Sequence, residues 1–319
     1  MPSPLSPLRR GGTLPAPVLN IAHRGARAFA PENTLEAFAS AARLGCHMVE
    51  LDVHLSKDGE LIVIHDDDLV RCSNVQAVFS GRAPWFVSDV TADEIAKLDA
   101  GSWYVAELGK PATERQAYLR DLTNEERTAF VSDADLARYG SGAVRHPTLR
   151  EALDFTRGLG LLLNVEIKSL PRGYPGIAEK VVRLIDNLGA ASRVLVSSFD
   201  HQQLAAVRRL SNAIATATLV SDRLHEPGRY VREFLDADAY HPGCAGSCDT
   251  LGLDSVRGKV DVEVIRDVRA AGLGVNVWTE NDAARMRALI EAGVTGIFTD
   301  YPNRLRDVLA ARLTPAAGT

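Results

Sequence analysis

The chain has 319 residues, of which 46% are hydrophobic and 24% charged. That is the make-up of a soluble globular protein with one large domain or two medium ones. A net charge of -5 gives no bulk basic field for nucleic acid or an anionic membrane. No apolar run approaches the roughly 20 residues a membrane-spanning helix needs, so no stable membrane insertion is expected. The cysteines, Cys46, Cys72, Cys244 and Cys248, are too few for a disulfide scaffold at this length. A reduced, cytoplasmic setting is the expectation.

Met1 to Pro17 is proline-rich, carries Arg9 and Arg10 and has no apolar core. It makes a poor signal peptide and is expected to be a disordered tail ahead of a barrel domain over 18–319. Val18 to His23 reads as a strand and Glu32 to Leu44 as a helix, with Asn33 or Thr34 near its cap. His47 to Val53 reads as the next strand. Leu61 to His65 is a further short extended segment after a Lys57-Asp58-Gly59 turn. From about Asp68 to Arg145 the sequence turns polar and irregular, with one helix expected at Asp121 to Tyr139. An excursion of that length reads as an insertion, at about 68–146.

Alternation resumes at Pro147. Helices are expected at Thr148 to Arg157, Gly176 to Leu188, Gln202 to Leu210, Val260 to Ala271, Asn281 to Ala292 and Asn303 to Arg312. Strands are expected at Leu161 to Lys168, Arg193 to Ser197, Ile214 to Val220, Gly274 to Trp278 and Gly296 to Thr299, with a weaker one at Phe234 to His241. About eight strands with helices between them predict a (β/α)8 TIM barrel, an α/β fold. A doubly wound open sheet is the alternative. Polar residues recur at the C-terminal ends of many of these strands, as a barrel rim requires.

Glu50 and Asp52 lie two apart in an apolar run, so a strand turns both to one face. Like charges that close are costly without compensation. Glu166 repeats the arrangement with Lys168 and supplies a third carboxylate. Three hard oxygen ligands suit Mg²⁺ or Ca²⁺, whereas zinc would recruit histidine or cysteine. Cys244 and Cys248, with His241 before them, lack the close-pair spacing of a zinc site and read as free thiols. His23 and His65 end strands beside the acids and are candidate acid/base groups. Arg24 and Lys168 supply the positive charge that a phosphoryl group needs. Together these groups describe phosphodiester cleavage.

His23-Arg24-Gly25, Pro31-Glu32-Asn33-Thr34, Glu50-Leu51-Asp52-Val53, His65-Asp66, Glu166-Ile167-Lys168, Ser198-Phe199, Trp278-Thr279 and Thr299-Asp300-Tyr301-Pro302 resemble the glycerophosphodiester phosphodiesterase family. They do so in order, over nearly the whole chain. The resemblance implies a (β/α)8 barrel with an insertion after the second strand. It also implies metal-dependent hydrolysis of a glycerophosphodiester to an alcohol and sn-glycerol 3-phosphate. On the matching motifs, Glu50, Asp52 and Glu166 are metal ligands, and His23 and His65 the acid/base pair. Arg24 and Lys168 hold the phosphate, Glu32 orients Arg24 or the substrate, and Phe199 and Trp278 wall the pocket.

In some members of the family the glycerol hydroxyl itself attacks phosphorus and a cyclic phosphate forms. The stretch from Leu108 to His146 departs from the family by its length and charge. It is a candidate pocket lid, subunit contact or solvated decoration, and an oligomer stays open. Two other functions remain: a lysophospholipase D acting on lipid phosphodiesters, and a catalytically inactive binding barrel. Against the latter stand both histidines and all three carboxylates.

Overall fold

The computed structural model describes residues 7–254 and 259–313. Its sheet has nine strands: β1 (Leu19–Ala22), β2 (Met48–Leu55), β3 (Leu61–Val63), β4 (Leu162–Ile167), β5 (Val194–Ser198), β6 (Ala215–Val220), β7 (Ala239–Pro242), β8 (Gly274–Val277) and β9 (Gly296–Thr299). All are parallel to their neighbours except β3, which runs antiparallel to β2. β1 pairs with β2 on one side and β9 on the other, so the ring closes as an eight-stranded parallel barrel with β3 outside it. Helices between successive strands cover the outer wall.

Period-two alternation decides what each strand residue faces. Leu19, Ile21, Met48, Leu195, Ala215, Ala217, Ala239 and Phe298 form one buried cluster inside the barrel. On β2, Glu50 and Asp52 share a face with Met48. Val49, Leu51 and Val53 turn the other way and pack with Phe38 and Ala41 of the helix Leu35–Arg43. The apolar outer face anchors the strand, and the inner face is left to carry chemistry.

Four expectations need correction. Leu61 to His65 belongs to a hairpin rather than to the barrel. The link from Ser56 to Glu60, with Gly59 at φ +81°, is too short for a crossover of a dozen or more residues between parallel strands. The helix expected at Asp121 to Tyr139 is two helices, Asn124–Phe130 and Asp133–Tyr139, because Ser132 caps the second by accepting from the Asp135 amide. The strand expected at Phe234 to His241 begins only at Ala239, after a left-handed turn at Asp236, φ +49°.

The fourth concerns the N-terminal tail: Met1 to Ser6 lie outside the described residues, and from Pro7 onward the segment lies across the N-terminal mouth of the barrel. Leu8 is buried in the interior cluster. Arg9 donates to the Asp238 carboxylate at 3.3 Å, and the Arg10 amide does so at 3.1 Å. Asp238 also accepts from Arg208 at 2.8 Å. A buried carboxylate needs such partners, and they hold the segment in place.

The insertion is packed rather than loosely solvated. Leu69, Val75, Val87, Val90, Ile95 and Leu98 form their own apolar cluster with Ile62 and Ile64. Tyr104 Oη donates to the Ala28 carbonyl at 2.7 Å, and Arg304 binds Glu126 at 2.7 Å. Among the described residues, none from 66 to 147 lines the pocket described below.

Candidate active site

The C-terminal ends of the barrel strands open into a pocket of about 240 Å³. His23, Arg24, Glu50, His65, Glu166, Lys168, Phe199 and Trp278, all singled out by the sequence, line it together with Asn164, Ser197, Leu219, Thr279 and Phe298. Charged groups from the ends of β1 to β4 occupy one half, and apolar ones from β5, β6, β8 and β9 the other. Phe199 and Trp278 meet edge to face with centroids 5.4 Å apart. The Trp278 indole N–H is fixed on the His241 carbonyl at 2.8 Å.

Ligand atoms of Glu50, Asp52 and Glu166 lie within 4.8 Å of one another, and all three residues are buried. β2 and β4 pair with Asp52 opposite Glu166, so adjacent strands deliver the group. Burial and the charges of Asp52 and Glu166 push the Glu50 carboxyl well above the usual carboxylate range. Burial pushes Asp52 the same way. There the charges of His65, Lys168 and Arg24 and the Asn33 amide prevail and hold its carboxyl below that range. Asp52 Oδ1 is buried with no hydrogen-bond partner. Three converging buried carboxylates with an orphaned oxygen form a donor set that fits a hard divalent cation.

The turn leading into the first helix builds the other wall. Gly25 sits at φ +80°, and a Cβ there would come 2.6 Å from the Ala37 Cβ. Only glycine lets the chain turn back this closely. The turn aims the Arg24 amide at Glu50 Oε2, 2.8 Å away. Thr34 caps the helix by accepting from the Ala37 amide at 3.2 Å. Asn33 adopts φ +56° and donates to Asp52 Oδ2 at 2.9 Å.

Both histidines are held through Nδ1 by a carboxylate, His23 by Asp300 at 2.8 Å and His65 by Asp66 at 2.7 Å. Burial and the Arg27 charge push His23 down to about 4, although Asp300 works against them. His23 is therefore neutral near pH 7. With Nδ1–H given to Asp300, its Nε2 is the basic atom. Lys168 Nζ lies 2.9 Å from Glu166, 3.7 Å from Asp52 and 3.4 Å from His65 Nε2. Glu166 and Asp52 raise its pKa against the pull of burial, which keeps it cationic.

Two expected site residues stand back from the pocket. Asp52 is 1% exposed and lies beneath the surface formed by its neighbours. Glu32, read as a substrate contact or as the residue that orients Arg24, does not line the pocket. It is buried against Arg24 Nη1 at 2.9 Å and Arg71. Sequence reasoning gave no role in the site to Asn33, Arg71 or Asp300. The first and last stood in motifs already noted. Arg71 had no signal, because its partner Glu32 is 39 residues away.

An eight-stranded parallel barrel with carboxylates, histidines and basic side chains converging at the C-terminal strand ends is the architecture of a TIM-barrel enzyme. The profile of the glycerophosphoryl diester phosphodiesterase family matches residues 23–304. A glycerophosphodiester phosphodiesterase of Bacillus altitudinis is 32% identical over 284 residues, covering 89% of this chain and 94% of that one. Its counterpart in Caldanaerobacter subterraneus subsp. tengcongensis is 32% identical over 287 residues, covering 90% and 96%. Among solved structures, an Oleispira antarctica phosphodiesterase in complex with the product sn-glycerol-3-phosphate superposes with a TM-score of 0.66 at 26% identity, covering 91% of this chain and 96% of that one. A Silicibacter pomeroyi protein described as a putative glycerophosphoryl diester phosphodiesterase gives 0.72 at 27%, covering 96% of each. The chain belongs to the glycerophosphoryl diester phosphodiesterase family. It is an enzyme that hydrolyses glycerophosphodiesters.

Proposed function

We propose that the enzyme releases an alcohol and sn-glycerol 3-phosphate with a divalent cation, Mg²⁺ or Ca²⁺, and two histidines. The observation that carries this reading is the carboxylate group of Glu50, Asp52 and Glu166, within 4.8 Å, flanked by two histidines that each rest on a carboxylate. Those three side chains would hold the cation, which when bound supplies charge stabilisation to a phosphoryl oxygen. Lys168 and Arg24 add fixed positive charge where the transition state gains negative charge. His23, neutral and oriented by Asp300, takes the proton from the attacking oxygen. His65, beside Lys168 and held by Asp66, gives a proton to the leaving alcohol.

The volume of about 240 Å³ is of the order of a phosphoglycerol group with a small head group, and an acyl chain would have to extend beyond it. It supports glycerophosphodiesters over lysophospholipids. The test is a panel of glycerophosphocholine, glycerophosphoethanolamine and lysophosphatidylcholine assayed with Mg²⁺, Ca²⁺, Mn²⁺ or EDTA. The expected result is cation-dependent release of glycerol 3-phosphate, abolished by EDTA. Full turnover in EDTA would refute the cation, and preference for the lysolipid would establish the lysophospholipase D reading. A cyclic phosphate detected in single-turnover experiments would identify the substrate's own hydroxyl as the nucleophile.

A further inference from the structure

We infer that Arg71, which lies outside the pocket, is a positioning residue for hydrolysis. It holds both the carboxylate behind His65 and the carboxylate behind Arg24. The inference rests on the roles proposed above for those two residues.

Arg71 Nε and Nη2 donate to the two oxygens of Asp66 at 2.7 and 3.0 Å. Nη1 and Nη2 donate to the two oxygens of Glu32 at 2.9 and 2.7 Å. Asp66 is the residue on His65 Nδ1 at 2.7 Å, and Glu32 the one on Arg24 Nη1 at 2.9 Å. One planar guanidinium thus closes an unbroken path, His65–Asp66–Arg71–Glu32–Arg24, between two pocket residues on different loops. A rigid fork of donors suits this task, whereas a lysine ammonium cannot bind two carboxylates bidentately.

The two ends depend on Arg71 unequally. Glu32 is buried and keeps Arg24 at 2.9 Å and Arg27 at 3.9 Å without it. The Asp66 side chain is 29% exposed, and its other side-chain partner among the described residues is His65 itself. Loss of Arg71 therefore frees Asp66 to rotate and carries His65 with it. The Gln116 side chain accepts from Arg71 Nη1 at 3.2 Å, which ties the far part of the insertion to the same path. This gives the insertion a part in the reaction without any residue in the pocket.

The test uses the full chain with glycerophosphocholine and saturating divalent cation. Arg71→Ala is expected to lower kcat by about 100-fold, the usual cost of misplacing a reacting group by about 1 Å, with KM little changed. The Arg71 side chain is 29% exposed, so added guanidinium can reach the gap. It should restore part of kcat saturably in Arg71→Ala and not in His65→Ala. Arg71→Lys keeps the charge, should fold, and should lose kcat as well. It carries the test alone if the alanine variant does not fold. Wild-type kcat in Arg71→Lys, or a loss in Arg71→Ala that guanidinium does not touch, overturns the inference. An active His65→Ala would instead refute the role of His65.

Discussion

The His23 imidazole is held through Nδ1 by the Asp300 carboxylate at 2.8 Å, across 277 residues of sequence. Asp300 is itself gripped by Arg27 at 3.1 Å and by the Asn281 amide at 2.7 Å. The carboxylate is therefore fixed before it fixes the ring, and the ring presents Nε2 in one tautomer.

Asp300→Asn should lower kcat by on the order of 10² to 10⁴-fold, the range of a lost acid/base contribution. The pH profile gives a second signature. Asp300 raises the pKa of His23 by its hydrogen bond and its charge, so removing the charge lowers that pKa further below about 4. Neutral imidazole, the competent base, then persists to lower pH. The acid limb of kcat/KM should move down, not up, in a stopped assay between pH 3.5 and 8. An upward shift would show that His23 is not the group titrating.

Cation binding should depend on pH through Glu50. Its carboxyl lies well above the usual range through burial and the charges of Asp52 and Glu166, so protons and a cation compete for it. Calorimetric titration with Mg²⁺ or Ca²⁺ should show affinity rising with pH and proton release on binding. Glu50→Gln should weaken binding about tenfold or more and remove the proton release. Unchanged affinity in that variant would remove Glu50 from the ligand set.

Gly25→Ala combines a left-handed φ of +80° with a Cβ 2.6 Å from Ala37. Strain of this kind costs about 3 kcal/mol, to be read as a lower urea midpoint. The same shift would pull the Arg24 amide from Glu50, so kcat should drop in the molecules that remain folded. A variant with normal stability would mean that the turn can reform without glycine.

Leu8→Ala separates stability from catalysis. Leu8 is buried in the lower barrel interior, at the opposite mouth from the pocket, and truncation should cost about 2 kcal/mol. Urea unfolding should report the loss, while kcat and KM stay at wild-type values. An altered kcat would mean that the N-terminal segment communicates with the far end of the barrel.

The sequence by itself determined the barrel and most of the pocket, because both follow from short-range rules. Strand periodicity put Glu50 and Asp52 on one face, and Glu166 and Lys168 on another. The His-Arg-Gly and Pro-Glu-Asn-Thr segments marked the turn that aims Arg24. Only the tertiary structure decided the supporting contacts. Asp300 reaches His23, Arg71 reaches Glu32, and Arg9 reaches Asp238 across 229 residues. No periodicity encodes such pairs: closure of β1 on β9 brings Asp300 to His23, Glu32 and Arg71 meet where the segments after β1 and β3 converge, and the N-terminal segment meets Asp238 just before β7. The N-terminal segment shows the same limit. Its proline-rich composition reads as a free tail, but the small residues Ala215, Ala217 and Ala239 inside the barrel leave room for Leu8, and a buried Asp238 calls for its arginines. Composition reports what a segment can do alone, whereas packing depends on what the rest of the chain leaves open.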